Sequence, residues 1–294
     1  KDFYGGRYVR RFENKFKRYF KVKHAVSVNS WTSGLIAAVG AIGIEPGDEV
    51  ILSPWTMSAC SSAILHWNAI PVFCDIESRT FNIDPDQIEK NISPSTKAIM
   101  AVDIFGHPAD MDRLKKIAKK HKLKIISDSA QAPGAFYAGK YAGTLGDVGG
   151  FSLNYHKHIH TGEGGVIVTN DDRTAENLQL IRNHAESVVK GMEKKDITNM
   201  VGYNFRMGEI ESAIGMSQLN KLSSAVKRRQ AIAKRLNKSL SKLDGLEVPF
   251  VQEKCTHAYY VYALKINPSI TNLSRDIIHE ALVAEGVPLG KHYG

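Results

Sequence analysis

Short apolar runs alternate with helix-like segments through the first 170 residues, and this alternation restricts the possible folds more than any other feature. Helical patterns with one apolar face, for example residues 33–43 and 111–120, separate most of the first five runs. Such alternation predicts an α/β fold in which helices cover both faces of a mainly parallel sheet. Seven runs have the length and composition of strands: residues 24–28, 49–53, 70–75, 97–105, 124–129, 149–154 and 165–170.

The last third of the chain has a different pattern. Long helical periodicity and a basic stretch come first, followed by one strand-like run at 257–266 and a helix that begins after Ser274. We therefore expect two units. A large domain over residues 1–215, which opens with an amphipathic helix at 8–20, is followed by a smaller α+β domain over 216–294.

Charge and cysteine content bound the class of protein. The formal net charge of +9 favours anionic partners, but much of the excess lies in residues 221–242, where we prefer a solvated helix face to a nucleic-acid surface. We find neither an apolar run of about 18 residues nor a leader pattern, which argues against membrane insertion or export. The three cysteines, Cys60, Cys74 and Cys255, show no CxxC spacing and predict reduced thiols in a cytoplasmic protein.

The segment FSLNYHKHIHTGEGG, residues 151–165, places His156, His158 and His160 at alternate positions with Lys157 between the first two. An extended strand would put the three histidines on one face and the lysine on the other. A structural metal site needs four ligands, and no second pair of ligands has a suitable spacing, so we predict no metal. A lysine can attack a carbonyl when burial or nearby cations lower its pKa, although most lysines are only surface charges.

Two other segments place polar side chains where a predicted strand ends. In VSVNSWTSG, residues 26–34, a strand turns into a helix, and the turn is either an anion site or a simple helix cap. In IISDSAQAPGA, a predicted strand ends with Asp128, and Gln131 comes three residues later. The carboxyl ends of parallel strands are where ligands bind in such sheets, but an aspartate there can equally be a loop or capping residue.

Together, a strand-end aspartate, a phosphate-binding helix start and a later lysine are what a pyridoxal phosphate enzyme needs. The chain resembles the DegT/DnrJ/EryC1/StrS family of sugar aminotransferases, which have the fold-type I architecture of pyridoxal phosphate enzymes. The resemblance spans nearly all 294 residues. It rests on an ordered series of motifs: NSWTSG, PGDEVILSPWTMSA, DIESRTFNIDP, FGHPADMDRL, SDSAQAPGA, FSLNYHKHIHTGEGG and GYNFRMGEIESAIGMSQL.

The resemblance implies a role for each matching residue. Lys157 would hold the cofactor covalently and then move the proton between substrate and cofactor, which makes it and Asp128 the catalytic pair. Asp128 would pair with the ring nitrogen, and Gln131 would hydrogen-bond near the phenolic oxygen. The phosphate would be held by the turn and by a later strand: Ser30, Trp31 through its backbone amide, Thr32 and Ser152.

The same resemblance bears on Met57, on the side chain of Trp31 and on Asn204. Met57 stands where many members have an aromatic ring that stacks on the cofactor; a thioether can also cover a ring face. Trp31 replaces a residue that is usually small, so we expect its side chain to point away from the site. Asn204 matches an asparagine that reaches the cofactor phosphate of the neighbouring subunit, which implies a homodimer with shared active sites.

The implied reaction is the transfer of an amino group, usually from glutamate, to a nucleotide-linked keto-deoxy sugar. The product would be an amino sugar for a surface polysaccharide or a natural product. Some relatives that carry histidine at the lysine position catalyse dehydration, so Lys157 favours transamination. A cyclitol or amino-shikimate type acceptor stays open, as does a regulator that binds the cofactor without turnover. Family members usually continue well beyond Gly294, so we expect a trimmed chain with an incomplete small domain and slow turnover.

Overall fold

The computed structural model describes residues 6–186 and 200–290. The helices in those ranges are α1 (Arg7–Phe20), α2 (Trp31–Ala41), α3 (Ala59–Leu65), α4 (Pro85–Ile88), α5 (Met111–His121), α6 (Asp172–Arg182), α7 (Glu209–Leu219), α8 (Leu222–Leu240), α9 (Pro268–Thr271) and α10 (Arg275–Ala284). The strands are β1 (His24–Val28), β2 (Glu49–Leu52), β3 (Ile70–Phe73), β4 (Thr96–Val102), β5 (Lys124–Asp128), β6 (Phe136–Tyr137), β7 (Lys140–Tyr141), β8 (Val148–Ser152), β9 (Gly165–Thr169), β10 (Leu246–Glu247) and β11 (Lys265–Ile266).

The central sheet of the described chain has seven strands in the order β1-β9-β8-β5-β4-β2-β3. All seven predicted runs belong to it, and each predicted end lies within three residues of the observed one. β3, β2, β4, β5 and β8 are parallel, whereas β9 is antiparallel to both of its neighbours, β8 and β1. Because β9 alone is reversed, the carboxyl ends of β1, β8, β5 and β4 meet at one edge. The predicted α/β class with a mainly parallel sheet is confirmed.

Helix α1 covers one face of the sheet and matches the helix predicted at 8–20. Its residues Phe12, Phe16 and Phe20 recur every four positions, so they share one face, and all three are buried. The Phe20 ring packs on Phe151 of β8, with ring centroids 4.4 Å apart. Aromatic pairs of this kind contribute about 0.5–1.5 kcal/mol beyond their buried area. This packing holds the helix over the strand that leads to Lys157.

The prediction of a strand over 257–266 is wrong except for its last two residues, which form β11. The preceding segment is irregular: the Ala258 and Val261 amides donate to the carbonyls of Gly106 and Phe105, respectively. Tyr259, which lies between them, has a left-handed φ of 51° that no strand accommodates. The loop that follows β4 therefore takes these hydrogen bonds in place of a neighbouring strand.

The predicted boundary between residues 1–215 and 216–294 falls inside α7. Gly215 of this helix lies against α1, where an added β-carbon would be 2.9 Å from the Phe12 ring. The two-domain division stays a prediction, and its last four residues, 291–294, lie outside the described ranges. Within the described residues, no helix has both the length and the apolar character needed to cross a membrane.

Candidate active site

A cavity of about 530 Å³ opens at the edge where the strand ends meet. The end of β5 supplies Asp128, the end of β8 supplies Ser152, and the turn after β1 leads into the first residues of α2. Eight of the nine predicted site residues line this cavity: Ser30, Trp31, Thr32, Met57, Asp128, Gln131, Ser152 and Lys157. Residues that are up to 127 positions apart in sequence are thus brought to one place by the parallel strand order.

The turn between β1 and α2 has the geometry of an anion site and of a helix cap at once. Ser30 is the N-cap of α2, and its Oγ accepts the Ser33 amide proton at 3.1 Å. Gly165 of β9 lets the strand approach this turn closely, since a β-carbon there would lie 3.0 Å from Trp31 Cα. The positive end of the 11-residue helix and the hydroxyls of Thr32 and Ser152 face the same cavity.

Asp128 is only 4% exposed, and three donors hold its carboxylate. Oδ1 accepts the Trp31 indole N–H at 2.7 Å and the Ala130 amide at 3.0 Å, while the Cys60 thiol donates to Oδ2 at 3.2 Å. Burial raises the pKa of Asp128, whereas these hydrogen bonds and the charge of Lys157 act to lower it. A buried carboxylate with three donors can pair with a cationic group in the cavity.

The expectation that the Trp31 side chain points away from the site is wrong. The indole is buried and turns inward to reach Asp128. A buried indole N–H needs an acceptor, and the carboxylate is the acceptor that this turn can reach. Two glycines give the ring its space, because a β-carbon at Gly34 would lie 2.7 Å from Trp31 Cε3 and one at Gly150 would overlap the same ring.

Lys157 lies in the loop between β8 and β9, where its amide donates to the Asn154 carbonyl at 2.9 Å. Its ammonium group is 4.2 Å from the centroid of the Tyr260 ring. Burial lowers the pKa of Lys157, although the Asp128 carboxylate opposes that shift. A lowered pKa increases the fraction of free amine, which is the form that attacks a carbonyl.

Gln131 and Met57 border the cavity in different ways. Gln131 is buried, and its Oε1 accepts the Phe105 amide proton at 2.7 Å. Because an N–H donor identifies the oxygen end of this amide, its NH₂ end is the one that can donate toward a ligand. Met57 precedes α3 and is 58% exposed, so it lies at the mouth of the cavity.

The three histidines around Lys157 do not share one face, because residues 153–164 form a loop instead of a strand. His158 is buried, and its Nε2 lies 2.8 Å from the Ala258 carbonyl; burial lowers its pKa to about 4. His156 and His160 are exposed. In residues 6–186 and 200–290, no group of three or more His, Cys, Asp or Glu side chains could hold a metal ion.

Asn204 is the predicted site residue that does not line this cavity. It is exposed and borders a separate concavity together with Arg206 and Glu209. The structure also adds two residues that sequence reasoning did not identify, Cys60 and Tyr260. The Cys60 thiol also lies 3.3 Å from the Thr56 hydroxyl, four positions earlier in the chain. Nothing in the local pattern of Tyr260 distinguishes it from a strand residue.

A known family of aminotransferases matches this chain along its whole length. The sequence model of the DegT/DnrJ/EryC1/StrS aminotransferase family matches residues 1–294. The GDP-perosamine synthase of Caulobacter vibrioides is 37% identical over 285 residues, which cover 96% of this chain and 75% of that protein. The chain belongs to this family.

Two further relatives carry information about substrate and cofactor. The dTDP-3-amino-3,4,6-trideoxy-alpha-D-glucose transaminase of Micromonospora megalomicea subsp. nigra is 35% identical over 265 residues, covering 88% of this chain and 69% of that enzyme. The crystal structure of NtdA from Bacillus subtilis with the bound cofactor PMP has a TM-score of 0.88 and 30% identity, and it covers 98% of this chain and 65% of NtdA.

The cavity fits pyridoxal phosphate, the cofactor of this family. A helix N-terminus flanked by hydroxyls suits a phosphate, a buried carboxylate suits a protonated ring nitrogen, and a half-buried amine suits an aldehyde. The chain is therefore a pyridoxal phosphate-dependent aminotransferase.

Proposed function

We propose that this enzyme moves an amino group from glutamate to a keto group on a nucleotide-linked deoxy sugar. The amino sugar would serve a surface polysaccharide or a natural product. The observation that carries the proposal is the meeting of the half-buried Lys157, the buried Asp128 and the N-terminus of α2 in one cavity. Two relatives whose names specify GDP- and dTDP-linked amino sugars support the acceptor class.

The residues of the cavity divide the work of the reaction. Ser30, Thr32 and Ser152, with the positive end of α2, would bind the phosphate and set the position of the ring. The bound cofactor supplies an electron sink that makes the substrate Cα–H acidic. Asp128 would keep the ring nitrogen protonated, and Lys157, once its Nζ is a free amine, would take the proton from one carbon and return it to another.

Three other residues would contact the cofactor or the lysine that binds it: Gln131, Met57 and Tyr260. The NH₂ end of Gln131 would donate to the phenolic oxygen, since its Oε1 is held by the Phe105 amide. Met57 would cover one face of the ring from the mouth of the cavity and keep water away from it. Tyr260 would direct the Lys157 amine, because its ring lies 4.2 Å from Nζ.

A homodimer in the cytoplasm is part of the same proposal. Asn204 is exposed and lies outside its own cavity, so it is available to the phosphate of a partner's cofactor. Nearby, α7 presents the exposed apolar residues Ile210 and Ile214, as expected of a surface that a second copy covers. The free thiols of Cys60, Cys74 and Cys255 fit a reducing compartment.

The first test is the visible absorption of the protein with pyridoxal phosphate, before and after addition of glutamate. We expect a band that depends on Lys157 and that bleaches with glutamate. Lys157→Ala should lack the band, while Lys97→Ala, which removes an exposed lysine, should retain it. A wild-type band that persists with glutamate would rule out glutamate as donor, and the absence of any band would contradict the proposed site.

The second test identifies the acceptor. The glutamate-treated enzyme is offered keto-deoxy sugars linked to GDP, dTDP or UDP, and a cyclitol ketone of the inosose type. Return of the original band with one nucleotide sugar, together with an aminated product by mass spectrometry, is the expected result. If only the cyclitol ketone restores the band, the acceptor is a cyclitol and not a nucleotide sugar. If none of the acceptors restores it, a regulator that binds the cofactor without turnover is favoured.

A further inference from the structure

The contact between Trp31 and Asp128 joins two parts of the site that the reaction uses separately. Trp31 is the first residue of α2, in the turn proposed to bind phosphate, and Asp128 ends β5. The Trp31 indole N–H donates to Asp128 Oδ1 at 2.7 Å, and both side chains are buried. The two residues lie 97 positions apart in sequence, so the contact is a tertiary feature.

The three donors divide unequally between the two carboxylate oxygens. Oδ1 accepts from Trp31 and from the Ala130 amide, both N–H donors at 3.0 Å or less. Oδ2 has the Cys60 thiol at 3.2 Å, and a thiol is a weak donor. The oxygen that can best accept another hydrogen bond is thus Oδ2, and Oδ1 is the oxygen that holds the carboxylate in place.

The space around the indole supports a specific role for this contact. Gly34 on α2 and Gly150 on β8 leave room for the ring, and any larger residue at Gly150 would overlap it. The ring therefore fits one slot between the helix and the sheet. In that slot its N–H is directed at Asp128, which a small residue at position 31 could not reach.

We propose that Trp31 is a positioning residue for Asp128: its indole N–H fixes Oδ1, so that Oδ2 is presented to the protonated ring nitrogen of the cofactor. This inference rests on the role proposed above for Asp128. It goes beyond that role because it assigns a task to the Trp31 side chain, whereas the phosphate needs only the backbone amide at this position. The ionisable groups that face Asp128 are Cys60, Lys157 and Asp103.

The test replaces the indole N–H and measures the cofactor, not only the reaction. Trp31→Phe keeps an aromatic ring but has no donor, so the carboxylate should ionise less readily and hold the ring nitrogen more weakly. The pyridine ring of the cofactor would then carry less positive charge. The pH midpoint at which the lysine-bound cofactor changes its visible spectrum should therefore rise by about 0.5–1 unit. Affinity for pyridoxal phosphate should fall about tenfold, as expected from one lost hydrogen bond to a charged group.

Trp67→Phe is the matched control. The Trp67 indole donates to the Ile36 carbonyl of α2 at 2.8 Å and packs against Gly40, so this variant also removes an indole N–H that contacts α2. It should lower resistance to urea without changing the spectral midpoint. If Trp31→Phe and Trp67→Phe lose similar stability and both keep the wild-type midpoint, the contact is merely structural and the inference is wrong.

Asp128→Asn separates this inference from the proposed function. A shifted midpoint in Asp128→Asn with none in Trp31→Phe would overturn only the role of Trp31. No shift in Asp128→Asn would overturn the assignment of Asp128 itself, and with it the inference. If Trp31→Phe does not fold, benzothienylalanine at position 31 keeps the shape of indole with sulfur in place of N–H. The same rise of the midpoint is then expected, and an unchanged midpoint refutes the role.

Discussion

A buried ion pair beside β1, the strand that leads into the turn proposed to bind phosphate, offers the sharpest test of how this fold supports its site. Arg182 of α6 lies 2.6 Å from Glu13 of α1, and their side chains are 7% and 17% exposed. The Glu13 carboxylate also accepts the amide and hydroxyl of Ser27 at 2.9 Å, and Arg182 donates to the Ser27 carbonyl at 2.9 Å. Ser27 lies in β1, three positions before Ser30, so this network anchors the strand that leads into the turn.

The expected magnitude follows from the distance and the burial. At an effective dielectric constant of about 20, charges 2.6 Å apart attract by about 6 kcal/mol, and most of this gain is offset by the cost of removing both from water. Removing one partner forfeits the attraction but leaves the other charge buried. Arg182→Met should therefore lower the free energy of unfolding by about 3–5 kcal/mol, a large part of the stability of an ordinary domain.

A double-mutant cycle isolates the pair. We expect Glu13→Gln combined with Arg182→Met to cost at least about 1.5 kcal/mol less than the sum of the single changes, measured by urea unfolding with equal m-values. The exposed pair Lys120–Glu89, at 2.7 Å, is the control and should show no measurable coupling. A coupling at Arg182–Glu13 as small as the control value would refute the reasoning.

Two further predictions concern packing and pH. Gly150→Ala should lower the melting temperature more than Gly139→Ala, because its β-carbon would overlap the Trp31 ring and the Val166 carbonyl. At Gly139 a β-carbon meets nothing within 4 Å, so alanine there costs only the backbone strain of a φ of 77°. Burial raises the pKa of Asp103 to about 7 from 3.8, so its contribution to stability is complete below pH 3.8 and is lost as the pH rises toward 7. From pH 5 to pH 8, the stability of Asp103→Asn relative to the wild type should therefore rise by about 3 kcal/mol in urea unfolding, because only the pH units between 5 and the folded-state pKa contribute over this range. An equal difference at pH 5 and pH 8 would contradict this.

Much of the fold could be predicted from the sequence because its strands are buried on both faces. β4 and β9 contain continuous apolar runs, at 98–102 and 166–168, and their positions do not depend on which strand lies beside them. The predicted strand at 257–266 failed for the opposite reason. Its apolar side chains suit a strand, but two of its backbone amides donate to carbonyls in the loop after β4. The local sequence pattern does not indicate which acceptors these amides will have.

The candidate site divides in the same way. The sequence by itself determined which candidate groups are present: Lys157, Asp128 and the strand-to-helix turn stand in the ordered series of motifs that the chain shares with its family, although each segment alone left its role open. Only the tertiary structure decided that the Trp31 indole turns inward and that Tyr260 covers the lysine. The direction of a side chain depends on the space left by residues distant in sequence, here Gly150 on a neighbouring strand, and that space exists only once the sheet has formed.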